Sequence, residues 1–196
     1  CTIRYGFRRK LTERMYHTKR QQFYGEMKDF WANLYGEEYA LYDVSLLTKD
    51  EAAHIRLISE RIGAIFFKIS SLLRKVPDET LLEMGFPKET LSFTRLKTLP
   101  VDSVISRLDL IPHGESYKCI EINTDTPTFI KELFSVNSMI CKEFGVQNPN
   151  DGMESILRKA VYDSVYNSTN KKSPHIVFTA HEDNVEDYQT VLYLQQ

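Results

Sequence analysis

No run of about 18 consecutive apolar residues occurs in the 196-residue chain, so no transmembrane helix is expected. The opening CTIRYGFRRKLTERM lacks the apolar stretch of a secretory signal. It also lacks an initiator methionine, and Cys1 reads as a processing boundary. Cysteine is scarce: Cys1, Cys119 and Cys141 are odd in number, scattered, and form no CxxC pair. A disulfide framework and a zinc cluster are therefore not expected, and a reducing cytoplasm is the simplest home. The five histidines show no HExxH spacing. Neither sign of charge dominates, with 25 basic and 27 acidic residues, which argues against a general nucleic-acid surface. The basic patches FRRK and TKRQQ are short and read as solvated helix faces. Internal repeats, low-complexity linkers and a Gly-rich phosphate loop are all missing.

What is present is ordinary globular material, 42% hydrophobic and 27% charged. It is enough for one domain over residues 1–196, mostly helical over 1–100 and α/β over 101–196. Residues 9–35 read as one or two helices, with Tyr24, Met27, Phe30, Trp31 and Leu34 as a core stripe. Thr48 caps the clearest helix and Glu51 completes a capping box. The apolar face of that helix runs from Ile55 to Val76, and Pro77 ends it. His54, alone in its first turn, reads as structural. A short helix closed by Gly85 and Pro87 follows. VDSVISRLDLI and SYKCIEINT read as strands, PTFIKELFSVNSMICKEFG as a helix ending at Gly145, and GMESILRKAVYDSVY as a helix with Met153, Ile156, Leu157, Ala160, Val161 and Val165 facing inward. HIVFTA reads as a short buried strand and VEDYQTVLYLQQ as a final helix. This order suggests an α/β sheet layered with helices.

The stretch RLDLIPHGESYKCIEINTDTPTF, residues 107–129, carries too many polar groups at period two for a purely structural hairpin. Arg107 and Asp109 share one strand face; Cys119, Glu121 and Asn123 share another. A tight turn at Gly114 would pair Asp109 near Cys119 and Arg107 near Glu121, bringing the polar sets to one side. A slip of one residue would scatter them. Asp109, Glu121 and Asn123 offer only oxygen ligands, which suits magnesium rather than zinc. Arg107 would neutralise carboxylate or phosphate charge. Thr126 is expected as a helix N-cap with Pro127 at the first helical position, an anion-binding helix start to which Thr128 adds a hydroxyl. A solvated hairpin face and an ordinary Thr-Pro helix start would present the same residues.

At these positions the chain resembles the glutathionylspermidine synthase family. Its synthetase motif is matched by Arg107-Leu108-Asp109 and by Glu121-Ile122-Asn123-Thr124-Asp125-Thr126-Pro127-Thr128. FIKELFSVN, TAHEDNVEDYQTVLYLQQ, YALYDVSLLTKDEAAHIRLISERI and LLEMGFP are similar to further parts of the family. The resemblance implies a helical N-terminal part on a mixed sheet, with pre-ATP-grasp (Rossmann-like) and glutathione-synthetase-like elements. It implies an ATP- and Mg-dependent amide ligase that joins a carboxylate to an amine through an acyl phosphate. By the resemblance Asp109, Glu121 and Asn123 hold magnesium, and Arg107 stabilises the transferring phosphoryl group and, with Asp109, contacts ATP. Thr126 and Thr128 lie in the glutathione-binding region. Glu186, with Glu182 as the fallback, meets the peptide or amine substrate, a polyamine being one such amine.

Two departures accompany the resemblance. The family continues past the position of Gln196 with the lysines and lid that hold ATP, so this chain is expected to be nearly inactive without that C-terminal half. Cys119 and Cys141 do not match the catalytic cysteine of the amidase domain fused to better-known members. A catalytically inactive binding or scaffold domain of the same fold is the alternative, and a magnesium-dependent phosphohydrolase is a third reading. No nucleic acid and no membrane partner is expected.

Overall fold

A computed structural model describes residues 12–196; the FRRK patch and Cys1 lie outside them. Helix α1 spans Glu13–Gly25, followed by the short strands β1, Asn33–Leu34, and β2, Glu37–Glu38. Helices α2, Lys49–Leu73, α3, Asp78–Glu83, and α4, Leu91–Thr94, lead to β3, Arg107–His113, and β4, Ser116–Asn123. A π-helical segment, Glu132–Val136, runs into α5, Asn137–Phe144, and then come α6, Met153–Asn167, and α7, Val185–Leu194. The fold is α/β with a large helical part. Among the described residues the strands form two separate two-stranded antiparallel sheets, β1–β2 and β3–β4.

The chain divides into two compact units, each assembled from non-contiguous segments. The first takes the chain up to Thr48, then Thr128–Gly152 and Thr179–Gln196. Its core gathers Tyr24 and Tyr42 with Val136 and Ile140, and Phe23, Met27, Phe30 and Phe144 pack around them. Tyr42 has aromatic neighbours on two sides, Phe144 at 5.1 Å and Phe23 at 5.5 Å between ring centroids. Arg20, also buried, ties α1 to the β1–β2 region: it donates to the carbonyls of Ala40 and Ala32 and pairs with Glu38. The expected stripe in 9–35 is core as read, but only Tyr24 is helical. The helix stops at Gly25, and Asp29 and Tyr35 take positive φ values of 60° and 52°. Met27 and Phe30 therefore reach the same core from an irregular segment.

The second unit comprises Lys49–Pro127 and Met153–Phe178. Helix α2 begins one residue after Thr48, and its last carbonyls are met by Arg95, which donates to Arg74 O at 2.9 Å and Leu73 O at 3.3 Å. A cation at a helix C-terminus satisfies orphan acceptors and the dipole together. Arg74 in turn forks onto both oxygens of Asp102, at 2.6 and 3.2 Å. Leu81, fully buried, anchors α3, and Gly85 closes it at φ 91°. Helix α2 packs against β4, with the His54 ring 6.0 Å from Tyr117.

Three expectations need correction. HIVFTA pairs with no strand among the described residues, and Ile176 and Val177 are exposed; apolar β-formers make a strand only where a sheet edge is offered. The expected single sheet is accordingly two hairpins. Met153 and Ile156 of α6 are exposed rather than inward-facing. The segment 101–106 is bent chain, and β3 begins only at Arg107.

Candidate functional site

The β3–β4 hairpin closes through a two-residue turn, Gly114-Glu115, with His113 opposite Ser116. Gly114 has φ 61°, the left-handed conformation that the first loop position of a tight hairpin demands and glycine supplies without strain. Continued regularly, that turn would set Asp109 opposite Ile120 and Arg107 opposite Ile122, sending polar and apolar residues to the same face. It does not continue regularly. The ladder pairs Leu110 with Cys119 and then Asp109 with Glu121, leaving Ile120 as an extra residue. This bulge restores the polar rungs: Asp109 faces Glu121 and Arg107 faces Asn123. The anticipated neighbours, Asp109 with Cys119 and Arg107 with Glu121, are thus corrected. The expected register took no account of the bulge, yet the four polar residues do share a face.

Arg107 grips Asp109 two residues along the strand, Nε to Oδ1 at 3.0 Å and Nη2 to Oδ2 at 3.3 Å. Both side chains keep about a third of their surface in solvent, 35% and 33%. Glu121 is exposed. Opposed side chains on one rung begin about 5 Å apart, and like charges placed so destabilise a sheet. The guanidinium is paired with Asp109, whose rung partner is Glu121. Among the described residues no group of three or more His, Cys, Asp or Glu side chains is gathered for a metal ion. The donor set here is two carboxylates and one amide.

Asn123 Oδ1 accepts the Thr126 N–H at 3.1 Å, fixing the turn that leaves β4. Thr126 is exposed and does not cap a helix. Helical structure begins at Ile130, whose predecessor Phe129 takes φ 83° and accepts the Leu133 N–H at 3.0 Å. The expected anion-binding start at 126–129 is therefore displaced by about one turn. Up to that point the chain is non-helical, with Asn123 Oδ1 on the Thr126 N–H and Phe129 in a positive-φ conformation. Positive φ in a bulky residue is a strained conformation that surrounding structure must hold.

Thr128 and Glu186 belong to the first unit, whereas Arg107, Asp109, Glu121, Asn123 and Thr126 belong to the second. Asn184 caps α7, its Oδ1 accepting the Glu186 and Asp187 N–H groups, each at 3.1 Å. Glu186 receives a hydrogen bond from the Tyr39 hydroxyl at 3.0 Å, while Glu182 is exposed. The same Tyr39 hydroxyl contacts Glu132 Oε1 at 2.8 Å. Burial, reinforced by the Glu132 and Glu186 carboxylates, pushes the Tyr39 phenol well above its ordinary value. Beside this set Lys131 donates to Gln189 Oε1 at 3.0 Å and to the Asp29 carbonyl, with burial pulling its pKa down.

Sequence reasoning missed Glu132 and Tyr39. A signal for the first existed: Glu132, Val136 and Ile140 recur every four residues, and all three are buried. A carboxylate at the head of an apolar stripe is a marked exception to normal burial. Tyr39 carries no comparable mark. Cys119 and Cys141 are free thiols, as expected; burial raises the Cys141 pKa.

A family model described as glutathionylspermidine synthase preATP-grasp matches residues 8–196. No curated protein and no solved structure matches the chain.

Proposed function

We propose, because this chain belongs to the glutathionylspermidine synthase pre-ATP-grasp family, that it forms part of an ATP- and magnesium-dependent ligase joining a carboxylate to an amine. The observation that carries this reading is the rung on which Asp109 and Glu121 oppose each other, with Arg107 paired to Asp109. Two carboxylates held face to face, in a register that requires a bulge, call for a cation. Their all-oxygen chemistry, with Asn123, fits magnesium, which takes one or two carboxylates and leaves its other positions to water and phosphate oxygens. Asn123 can serve while still accepting from Thr126, since an amide oxygen has two lone pairs.

In this reading Asp109, Glu121 and Asn123 hold the ion, whose role is to neutralise and orient the phosphates of ATP. Arg107 releases part of its grip on Asp109 and offers its planar fork to the phosphoryl group in transfer. The acid substrate is a glutathione-like peptide, phosphorylated on its carboxylate, and the amine displaces phosphate from that acyl phosphate. Thr126 and Thr128 present hydroxyls to the acid substrate, and Glu186 meets the peptide or amine. No helix of the described residues is long and apolar enough to cross a membrane, in keeping with water-borne substrates.

The test is magnesium-dependent nucleotide binding by calorimetry, together with ADP release in the presence of glutathione and an amine, both measured on the full-length protein. Asp109→Ala and Glu121→Ala are expected to remove the magnesium dependence and lower turnover about a hundredfold or more. Variants that bind and turn over like the wild type would sink the assignment. The inactive-scaffold reading draws on one observation, the bidentate Arg107–Asp109 pair, which satisfies that carboxylate with no metal. It predicts nucleotide binding indifferent to magnesium.

A further inference from the structure

A cavity of about 290 Å³ lies within the first unit, walled by Phe30, Leu41, Leu133, Val136 and Ile140, with Tyr39 and Glu132 among its lining residues. Its volume equals roughly ten waters at the liquid density of about 30 Å³ each. Glu132 is only 7% exposed, and its Oε2 is buried without any hydrogen-bond partner. A buried carboxylate oxygen left unpaired costs a few kcal/mol, so it marks a place where a partner belongs. Glu132 also opens the π-helical segment, a distortion that recurs at functional sites. Phe129, the strained residue before that helix, lines the same cavity.

We propose that this cavity binds a small monocation with an apolar body, a primary alkyl- or arylalkyl-ammonium, whose charged end pairs with Glu132. The Tyr39 hydroxyl occupies Oε1, and rotation about the terminal side-chain bond, which is soft in glutamate, turns the free oxygen toward a donor. The apolar walls take the hydrocarbon part. Asp43, which accepts the Val44 N–H at 2.8 Å, lies at the cavity too, with Asn137 and Asn150. The inference stands apart from the magnesium reading of the hairpin, none of whose residues lines the cavity.

Trp31 is the only tryptophan in the chain and stacks on Tyr39, ring centroids 6.2 Å apart, so its fluorescence reports on the cavity. The full chain is titrated with n-hexylamine and n-hexanol at constant pH and ionic strength. Hexylamine is expected to give a saturable change and to bind about tenfold or more tighter than hexanol, the margin of one charge-assisted hydrogen bond. Glu132→Gln should reduce the hexylamine preference over hexanol to about twofold or less. Equal binding of hexylamine and hexanol, or absence of a saturable response to hexylamine, would overturn the proposal. So would an undiminished preference in a folded Glu132→Gln protein. Should that variant not fold, the wild-type titrations decide alone.

Discussion

The hairpin of the second unit and the Tyr39 cluster of the first both bring two carboxylates together, and they do it under opposite conditions. Asp109 and Glu121 meet on a solvent-washed rung, where a partly exposed guanidinium holds one of them. Glu132 and Glu186 converge on a neutral hydroxyl, with Glu132 shut away from water. In water the repulsion between like charges is small and a mobile counter-ion offsets it, so the exposed pair can stay available for a ligand. In the interior each oxygen must be met by a specific donor, and removing one leaves a desolvation cost that solvent cannot relieve. The buried set should therefore govern stability, and the exposed set should govern binding.

The contrast is open to direct attack, beginning where the effect is largest. Tyr39→Phe strips the shared donor from both carboxylates and should cost about 1–3 kcal/mol in urea unfolding; a loss below about 0.5 kcal/mol would mean that the buried cluster is no more demanding than a surface one. Arg107→Ala, by comparison, should cost about 1 kcal/mol or less, with the difference shrinking in about 1 M salt. A loss as large as that of Tyr39→Phe would erase the distinction.

The second unit also carries a pH signature through Asp102, whose carboxyl the two-pronged hydrogen bond from Arg74 holds below its ordinary value. Its contribution is fully present above the unfolded value of about 4 and is lost as pH falls through the depressed folded value. Asp102→Asn should flatten the acid limb of the stability curve by up to about 1 kcal/mol and leave the neutral region otherwise parallel; unchanged curvature below about pH 4 would count against it. The smallest effect is the most telling for the hairpin. Glu121→Gln relieves the like-charge rung and should raise stability by about 0.5 kcal/mol in the absence of divalent cations. Magnesium should raise the wild-type melting temperature and leave that of Glu121→Gln nearly unchanged. Magnesium that shifts both proteins equally would show that the rung is not its site.

Much of the hairpin was legible because its rules are local. Period-two alternation identified the faces, and Gly114 identified the turn. The bulge at Ile120 was not legible, since a turn of two residues and one of three leave similar marks in sequence; the register became certain only when Asp109 was found opposite Glu121. The helix after Pro127 is legible, but its start at Ile130 is not, because Phe129 takes a positive φ that its residue type does not signal. The end of that helix was right: Gly145 takes the left-handed φ of 65° that a C-terminal glycine favours. The aromatic stripe of residues 24–34 reads as core from its helical spacing, and Tyr24, Met27 and Phe30 are core although only Tyr24 is helical.

Sequence alone determined which residues alternate on β3 and β4 and where α5 stops, because each depends on neighbours a few positions away. Tertiary structure decided that Tyr39 would find Glu132 and Glu186, 93 and 147 residues along the chain. It also decided that a carboxylate on an apolar stripe would be buried rather than turned to water. Contacts at such separation follow from how the hydrophobic faces pack, and no local periodicity records that choice.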